Sequence, residues 1–293
     1  MSASFTTKQL RVTFILADAN ASFPGGSGNT LVLTGLRTVA IIQGGQQFQT
    51  QLELEIYGML AADMNALSVI RFGPNPQLVP KNIVTVEAQS GSGGWTLIYS
   101  GTIIFGAPEY RGLPTVFFHV QAQSGYYAGI TPTPPLNYPN GVTVAAAMQA
   151  AATLMGYTFV NNGVTASLAG ARYWAGAPID MLRTIAGAAG IDFYIDADNT
   201  LAICPQNQPR NLPTIQLSPT SGLMGYPQLT EFGIHVDALF NPAFLLAQSI
   251  YISGSDVPAA NGPWAPYQIV HQLEAVKLGG IWQSSMECLW VAS

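Results

Sequence analysis

Thr131 to Gly141 reads Thr-Pro-Thr-Pro-Pro-Leu-Asn-Tyr-Pro-Asn-Gly. A proline has no backbone donor, so this stretch can continue neither a helix nor a central strand. The spacing of apolar residues also changes across it, from every second residue before to helical afterwards. One uninterrupted sheet or bundle is thereby excluded, and 129–141 is read as a linker.

Upstream, Lys8 to about Gln123 has the pattern of strands. Leu10, Val12, Phe14 and Leu16 alternate with Gln9, Arg11, Thr13 and Ile15, and Leu52, Leu54 and Ile56 alternate with Glu53, Glu55 and Tyr57. Such strands bury one face and wet the other. Turn clusters separate them at Pro24 to Asn29, Gly44-Gly45, Gly91 to Gly94 and Gly112-Leu113-Pro114. Further strands are expected at Asn82 to Ala88, Trp95 to Phe105 and Thr115 to Gln123, and a short helix over Met59 to Leu67 with Met59, Met64 and Leu67 on one face. Short strands at this spacing favour an antiparallel barrel or sandwich.

Downstream, Thr143 can cap a helix that carries Val144, Met148, Ala151 and Met155 and stops at Gly156. A second helix is expected from Pro178, a favoured first-turn residue, burying Ile179, Leu182, Ile185 and Ala189 and ending at Gly190. Strands are expected at Tyr157 to Val160, Ile191 to Ile195 and Thr200 to Ile203, the last two joined by a turn over Asp196 to Asn199. From Pro205 strands return: Thr214 to Leu217, Gly233 to Leu239, Phe244 to Ser253, Pro266 to Ala275 and Ile281 to Trp290, with a hairpin turn at Gly279-Gly280. The expected fold class is β-rich α+β, two antiparallel β-barrel domains flanking a small α/β domain. Its parts are an N-terminal β-barrel over 1–128, the Pro-rich linker over 129–141, a small α/β domain over 142–204 and a C-terminal β-barrel over 205–293.

Chemistry is sparse along this chain. His119, His235 and His271 are its three histidines, each inside an expected strand among apolar residues, which reads as core or interface packing. His271 and Glu274 project to opposite faces of a strand and would not share an ion. Asp196, Asp198 and Thr200 have the opening spacing of a calcium loop, but Leu201 and Asn207 occupy the places of its glycine and closing glutamate. Cys204 and Cys288 form no closely spaced pair and read as two buried thiols. Glu53 and Glu55 lie on a strand's outward face, and no phosphate-binding glycine loop or nucleophile elbow occurs. Asn20-Ala21-Ser22 fits a glycosylation sequon, but 1–7 lacks a signal peptide's basic and apolar regions, so no export by its own signal is expected. Aromatic bursts at Phe117-Phe118, Tyr126-Tyr127, Tyr173-Trp174 and Trp264 to Tyr267 read as core packing or subunit contact. No catalytic residue, cofactor or metal is expected.

Charge narrows the partners. Asp, Glu, Lys and Arg make up 9% of the chain, against roughly 25% in ordinary soluble domains. A net charge of -5 with no basic run leaves no footprint for sequence-specific nucleic acid, and no apolar run of about 18 residues suggests membrane insertion. Interface cores are depleted of charge because each desolvated unpaired ion is costly. This chain is therefore expected to spend its life against neighbours.

Four stretches resemble the baseplate hub proteins of tailed bacteriophages. They are Leu52 to Gly58 with Asp63 to Ser68; Gly101 to Ile104 through Val116 to Ala122 and Gly125 to Tyr127; Ser218 to Pro227 with Gly233 to Val236 and Leu239 to Pro242; and Tyr267 to Glu274 with Gly279 to Trp282. The resemblance implies a homotrimer whose two similar β-barrels per chain alternate around a pseudo-six-fold ring, adapting a six-fold tail tube to a three-fold spike. It implies a structural protein of the virion tail, assembled in the bacterial host cytoplasm and enclosing a channel for DNA. Its partners would be further copies of itself, a tail tube or distal tail protein, a spike protein and, as a further candidate, a tape measure protein. No catalytic residue carries over, because the matching motifs are turns and strand edges. Two other readings stay open: a β-rich binding module, such as a distal tail or carbohydrate-binding protein, which needs an exposed aromatic platform beside paired carboxylates, and a tail-associated hydrolase, which needs an acid and a base in one cleft.

Overall fold

The computed structural model describes residues 8–68, 80–90, 93–112 and 114–291. Gly91 and Ser92 of one expected turn cluster and Leu113 of another lie outside the described residues. The chain is mostly β, 48% strand against 14% helix, and most strand pairs are antiparallel. It forms two compact units, neither a single stretch of sequence: 1–42, 51–124 and 271–282 make one, and 43–50, 125–270 and 283–293 the other.

The first unit contains β1 (Lys8–Ile15), β2 (Thr30–Thr34), most of β3 (Thr38–Gly45), β4 (Gln51–Tyr57), α1 (Ala61–Leu67), β5 (Ile83–Ser90), β6 (Thr96–Glu109) and β7 (Phe117–Gln123). Its sheet runs β3-β4-β7-β6-β5-β1-β2. Register places apolar residues opposite one another, Val12 on Val86, Phe14 on Val84, Leu54 on Val120 and Ile56 on Phe118, and all eight are buried. Each such burial is worth about 1.5–3 kcal/mol, so the period-2 pattern alone fixes which face is the core. Bulges at Val86/Glu87 and Ile103/Phe105 interrupt the pairing of the long strand β6 and increase local twist. The expected helix forms as α1, with Met59, Met64 and Leu67 buried. It comes so close to β6 that a Cβ on Gly106 would sit 2.9 Å from the Leu67 carbonyl oxygen. Asp63 of α1 is buried and accepts the Gly25 amide at 3.0 Å, tying the turn cluster to the helix.

The second unit opens with α2 (Tyr126–Ile130), β8 (Thr133–Tyr138) and β9 (Val142–Thr143), followed by α3 (Val144–Met155), β10 (Thr158–Asn161), β11 (Ser167–Leu168), β12 (Arg172–Gly176) and α4 (Pro178–Ala189). Within 129–141, then, six residues form a strand: β8 pairs antiparallel with β12. A two-stranded sheet has only edges, where a proline's missing donor can face away from the ladder. Both long helices begin and end where expected. The Thr143 side chain accepts the Ala146 amide at 3.3 Å, Pro178 opens α4, and Gly156 and Gly190 close the helices in the left-handed conformation. Ile179, Leu182 and Ile185 of α4 join Val144, Met148 and Ala151 of α3 in one buried cluster with Phe193, Leu201 and Ile203.

Those last residues come from β13 (Ile191–Ile195) and β14 (Thr200–Pro205), which with β10 form a sheet in the order β10-β14-β13. A further run of paired strands is β16-β17-β20-β19-β18-β15, built from β15 (Ile215–Leu217), β16 (Leu223–Leu229), β17 (Ile234–Leu239), β18 (Ile250–Ile252), β19 (Gly262–Ala275) and β20 (Trp282–Trp290). Two expectations change here. Of Phe244 to Ser253 only β18 is strand; Phe244, Leu246 and Ala247 are buried in turns, where Ala247 has φ +58 and donates to the Pro266 carbonyl at 2.7 Å. β16 was not expected, because Gly225 and Pro227 fall inside it. The residues of β19 beyond Val270 belong to the first unit, where Glu274 donates its amide to the Ile281 carbonyl across the hairpin.

Candidate functional site

Two of the three histidines face carboxylates, contrary to the expectation of apolar surroundings. His119 Nε2 lies 3.2 Å from Glu53 Oε1, with the Phe105 ring edge-on at 5.7 Å. His235 stands opposite Glu287 across β17 and β20, with Nδ1 2.8 Å from Glu287 Oε1 and Nε2 3.5 Å from Asp237 Oδ1. Ser285, opposite Asp237, donates to the same Oδ1 at 2.5 Å. The error has a simple origin: in a strand, sequence neighbours point to the other face, so Ile234 and Val236 enter the core while His235 does not. Desolvation lowers the His271 imidazole to about 4. Among the described residues no three His, Cys, Asp or Glu side chains are grouped to hold a metal ion.

The Asp196 to Asn199 segment is a hairpin turn whose first residue does structural work. Asp196 accepts hydrogen bonds from Arg210 Nη1 at 2.6 Å and Nη2 at 2.9 Å, while the guanidinium lies 5.0 Å from the centre of the Tyr194 ring. Arg210 is buried. Sequence reading missed this pair, because nothing local marks an arginine as the partner of an aspartate in a turn before it. Glu55 accepts from the Tyr57 hydroxyl at 2.7 Å, so the Glu53 and Glu55 carboxylates go to different strand-face partners. Cys204 and Cys288 are both buried free thiols. Burial raises Cys204 to about 11 and raises Cys288 as well, so neither is poised as a nucleophile.

A cavity of about 20 Å³ lies among Gln46, Asp192, Tyr194, Tyr267 and Trp290 in the second unit. It has room for one water, whereas pockets for organic ligands run to roughly 300–1,000 Å³. Trp264 and Trp290 pack edge to face at 5.0 Å, and Trp174 packs on Tyr138 at 6.0 Å. Two of the aromatic bursts are therefore partly in packing. Among the described helices, none is long and apolar enough to cross a membrane.

Among the exposed apolar side chains, which include Phe48 and Tyr173, two groups lie close together in sequence. β16 is the edge of its sheet, and Tyr226 (68% exposed), Leu229 and Phe232 (70% exposed) stand out from it and from the turn into β17. Its pairing with β17 is broken between Met224 and Gln228, next to Pro227. The second is at the β19–β20 turn, where Leu278 is 90% exposed and Val276 and Ile281 are exposed beside it. Val276 has φ +56, a conformation that costs a β-branched residue about 1–3 kcal/mol. The turn is nevertheless held firmly. Lys277 Nζ donates to both oxygens of Glu274 at 2.8 Å, the Ile281 amide donates to Glu274 Oε2 at 3.0 Å, and a Cβ on Gly280 would press on the Glu274 carbonyl. These bonds hold the Glu274 carboxyl below its ordinary range, the Lys277 contact first.

Known proteins resemble this chain in sequence and in fold. A family model described as baseplate hub gp41 matches residues 29–277. No curated protein matches the sequence. The 43 kDa tail protein of prophage MuSo2 from Shewanella oneidensis superposes with a TM-score of 0.62 at 9% identity, over 95% of this chain and 97% of that one. A tail protein from Neisseria meningitidis MC58 gives 0.60 at 10% identity over 96% of both chains. The E. coli c3393 protein, described as a type VI secretion component similar in structure to T4 tail proteins gp27 and gp5, gives 0.61 at 10% identity, over 88% of this chain and 74% of that one.

Proposed function

The chain belongs to the baseplate hub gp41 family, and from that premise we propose that it joins the tail tube to the central spike as a homotrimeric ring. As a family member it is a hub-like structural component of a phage tail. The ring in this proposal uses two barrel-like β parts per chain, alternating so that three copies offer six similar faces to the tube or to a distal tail protein. Its other end carries the spike, its lumen passes DNA and accepts a tape measure protein, and assembly takes place in the host cytoplasm. No step of catalysis is assigned.

The observation that carries the reading is the family match over 29–277. The surface supports it: large apolar side chains, Phe48, Tyr226, Phe232 and Leu278 among them, are exposed. Contacts of this kind lose little to salt, where screening shortens to about 3 Å at 1 M. Light scattering after size exclusion at low and high salt should give a trimer in both, and electron micrographs of the same sample should show a three-fold ring with a central opening. A dimer or tetramer overturns the reading, and a trimer that dissociates in salt overturns its apolar interface.

A further inference from the structure

The small cavity in the second unit has a buried charge in its wall. Ile191, Phe193 and Ile195 of β13 enter the core beneath the two long helices, so their strand neighbours Asp192 and Tyr194 point the other way, into the lining of the cavity. Both are buried, at 3% and 4% exposed. A carboxylate so far from water needs a cation or several donors. Asp192 Oδ2 accepts the Asn207 amide at 3.0 Å, and among the described residues Oδ1 accepts no hydrogen bond. Arg210, whose guanidinium lies over the Tyr194 ring, gives both terminal nitrogens to Asp196 instead. Burial first, and the Asp192 charge second, raise the Tyr194 phenol, so its hydroxyl keeps its proton beside that carboxylate.

Size and lining select the counter-charge. About 20 Å³ admits one group the size of water, which an ammonium group is and a planar guanidinium is not. No further acids join Asp192, since among the described residues no three His, Cys, Asp or Glu side chains gather to hold a metal ion. A single positive charge is the match. Tyr267 and Trp290 also line the cavity, and aromatic rings attract a cation within about 6 Å. Asn207 and Trp290 are exposed, so the cavity meets solvent at their side. We propose that this cavity binds one primary ammonium group, held by Asp192 below and by Tyr267 and Trp290 at its mouth. The group is either free ammonium or the end of a lysine side chain from another protein. This assignment does not depend on the trimeric hub reading.

Isothermal titration calorimetry at constant ionic strength tests the site, with ammonium chloride, Nα-acetyl-lysine amide and tetramethylammonium chloride as probes. The first two should bind at one site per chain, and the third, too large for the cavity, should not. Asp192→Asn removes the charge with little change of shape and should weaken both by about tenfold or more, as loss of a hydrogen bond to a charged group does. If that buried variant fails to fold, Gln208→Lys at the exposed rim of the cavity supplies a cation there and should weaken binding likewise. Tighter binding of the lysine amide assigns the site to a partner's lysine, whose apolar stem packs on Trp290; equal or weaker binding of the amide assigns it to the free ion. Failure of both ammonium probes to bind, binding unchanged in the folded variants, or equal binding of tetramethylammonium overturns the site. None of these outcomes touches the hub reading, which the size of the assembly decides.

Discussion

Arg210 grips Asp196 with both terminal nitrogens, at 2.6 and 2.9 Å, from a position where its side chain is almost out of water. The pair joins the β13–β14 turn to the segment that leads into β15, and the Arg210 amide adds a bond to the Ala247 carbonyl at 2.7 Å. Removing one member of a buried pair strands the other, at about 3–5 kcal/mol. Arg210→Met should therefore lower the melting temperature by roughly 6–15 °C, and Asp196→Asn combined with it should recover part of that loss. Calorimetry of the three variants checks both outcomes; equal melting temperatures for wild type and Arg210→Met would put the pair in solvent.

Leu182 has no exposed surface and lies in the cluster between α3, α4 and the β10-β14-β13 sheet. Leu182→Ala leaves a cavity and should cost about 2–5 kcal/mol, and Leu182→Asp should cost more by burying a carboxylate without a partner. Urea unfolding followed by far-ultraviolet circular dichroism gives both values. An unchanged midpoint for the aspartate variant would contradict the helix phase.

His271 supplies a pH dependence of definite sign. Its folded value, about 4, lies below the ordinary 6.5 because desolvation disfavours the imidazolium. The unfolded chain therefore takes up the proton first as pH falls. The contribution of neutral His271 is complete above about pH 6.5, declines between 6.5 and 4, and stays at its low value below. Melting temperatures of wild type and His271→Gln should show a difference that changes across this window. A constant difference from pH 7.5 to 4 would show that the folded ring titrates normally.

Both thiols should be silent in the folded chain. Cys204 sits at about 11 and Cys288 is also raised, each through burial, so thiolate is scarce near neutrality and reagent has no path to it. A chromogenic disulfide such as Ellman's reagent should stay colourless with native protein and report both cysteines in guanidinium. Rapid reaction without denaturant would show that one of these strands opens readily.

Local signals in the sequence were reliable wherever the deciding physics is local. Thr143, Gly156, Pro178 and Gly190 bound the two long helices because capping and positive φ act over a few residues. Alternation identified β1 and β4, whose inward residues meet partners of the same character. β16 stayed hidden because Gly225 and Pro227 are poor strand formers, and its pairing with β17 supplies what propensity does not. The buried turns at Phe244 to Ala247 look like strand for the converse reason: burial makes them apolar, while Ala247 at φ +58 breaks the extension. All three histidines lie in strands as expected, but the carboxylates that His119 and His235 meet were not foreseen, because those partners come from other strands. For the exposed apolar surface the sequence held the residues without their exposure, since Leu278 and Leu182 are the same side chain until the fold assigns one to water.

Residues 271–282 complete the first unit, while residues 43–50 already belong to the second. A ribosome makes the chain from the amino end, so the first unit lacks its last parts until residues 271–282 have been made. The early strands must wait, with sheet edges unpaired, for a hairpin more than two hundred residues away in sequence. Long-range closure of this kind slows folding and exposes intermediates to aggregation. A nascent chain stalled before the hairpin should depend on chaperones, which shield the waiting edge until its distant partner has been made.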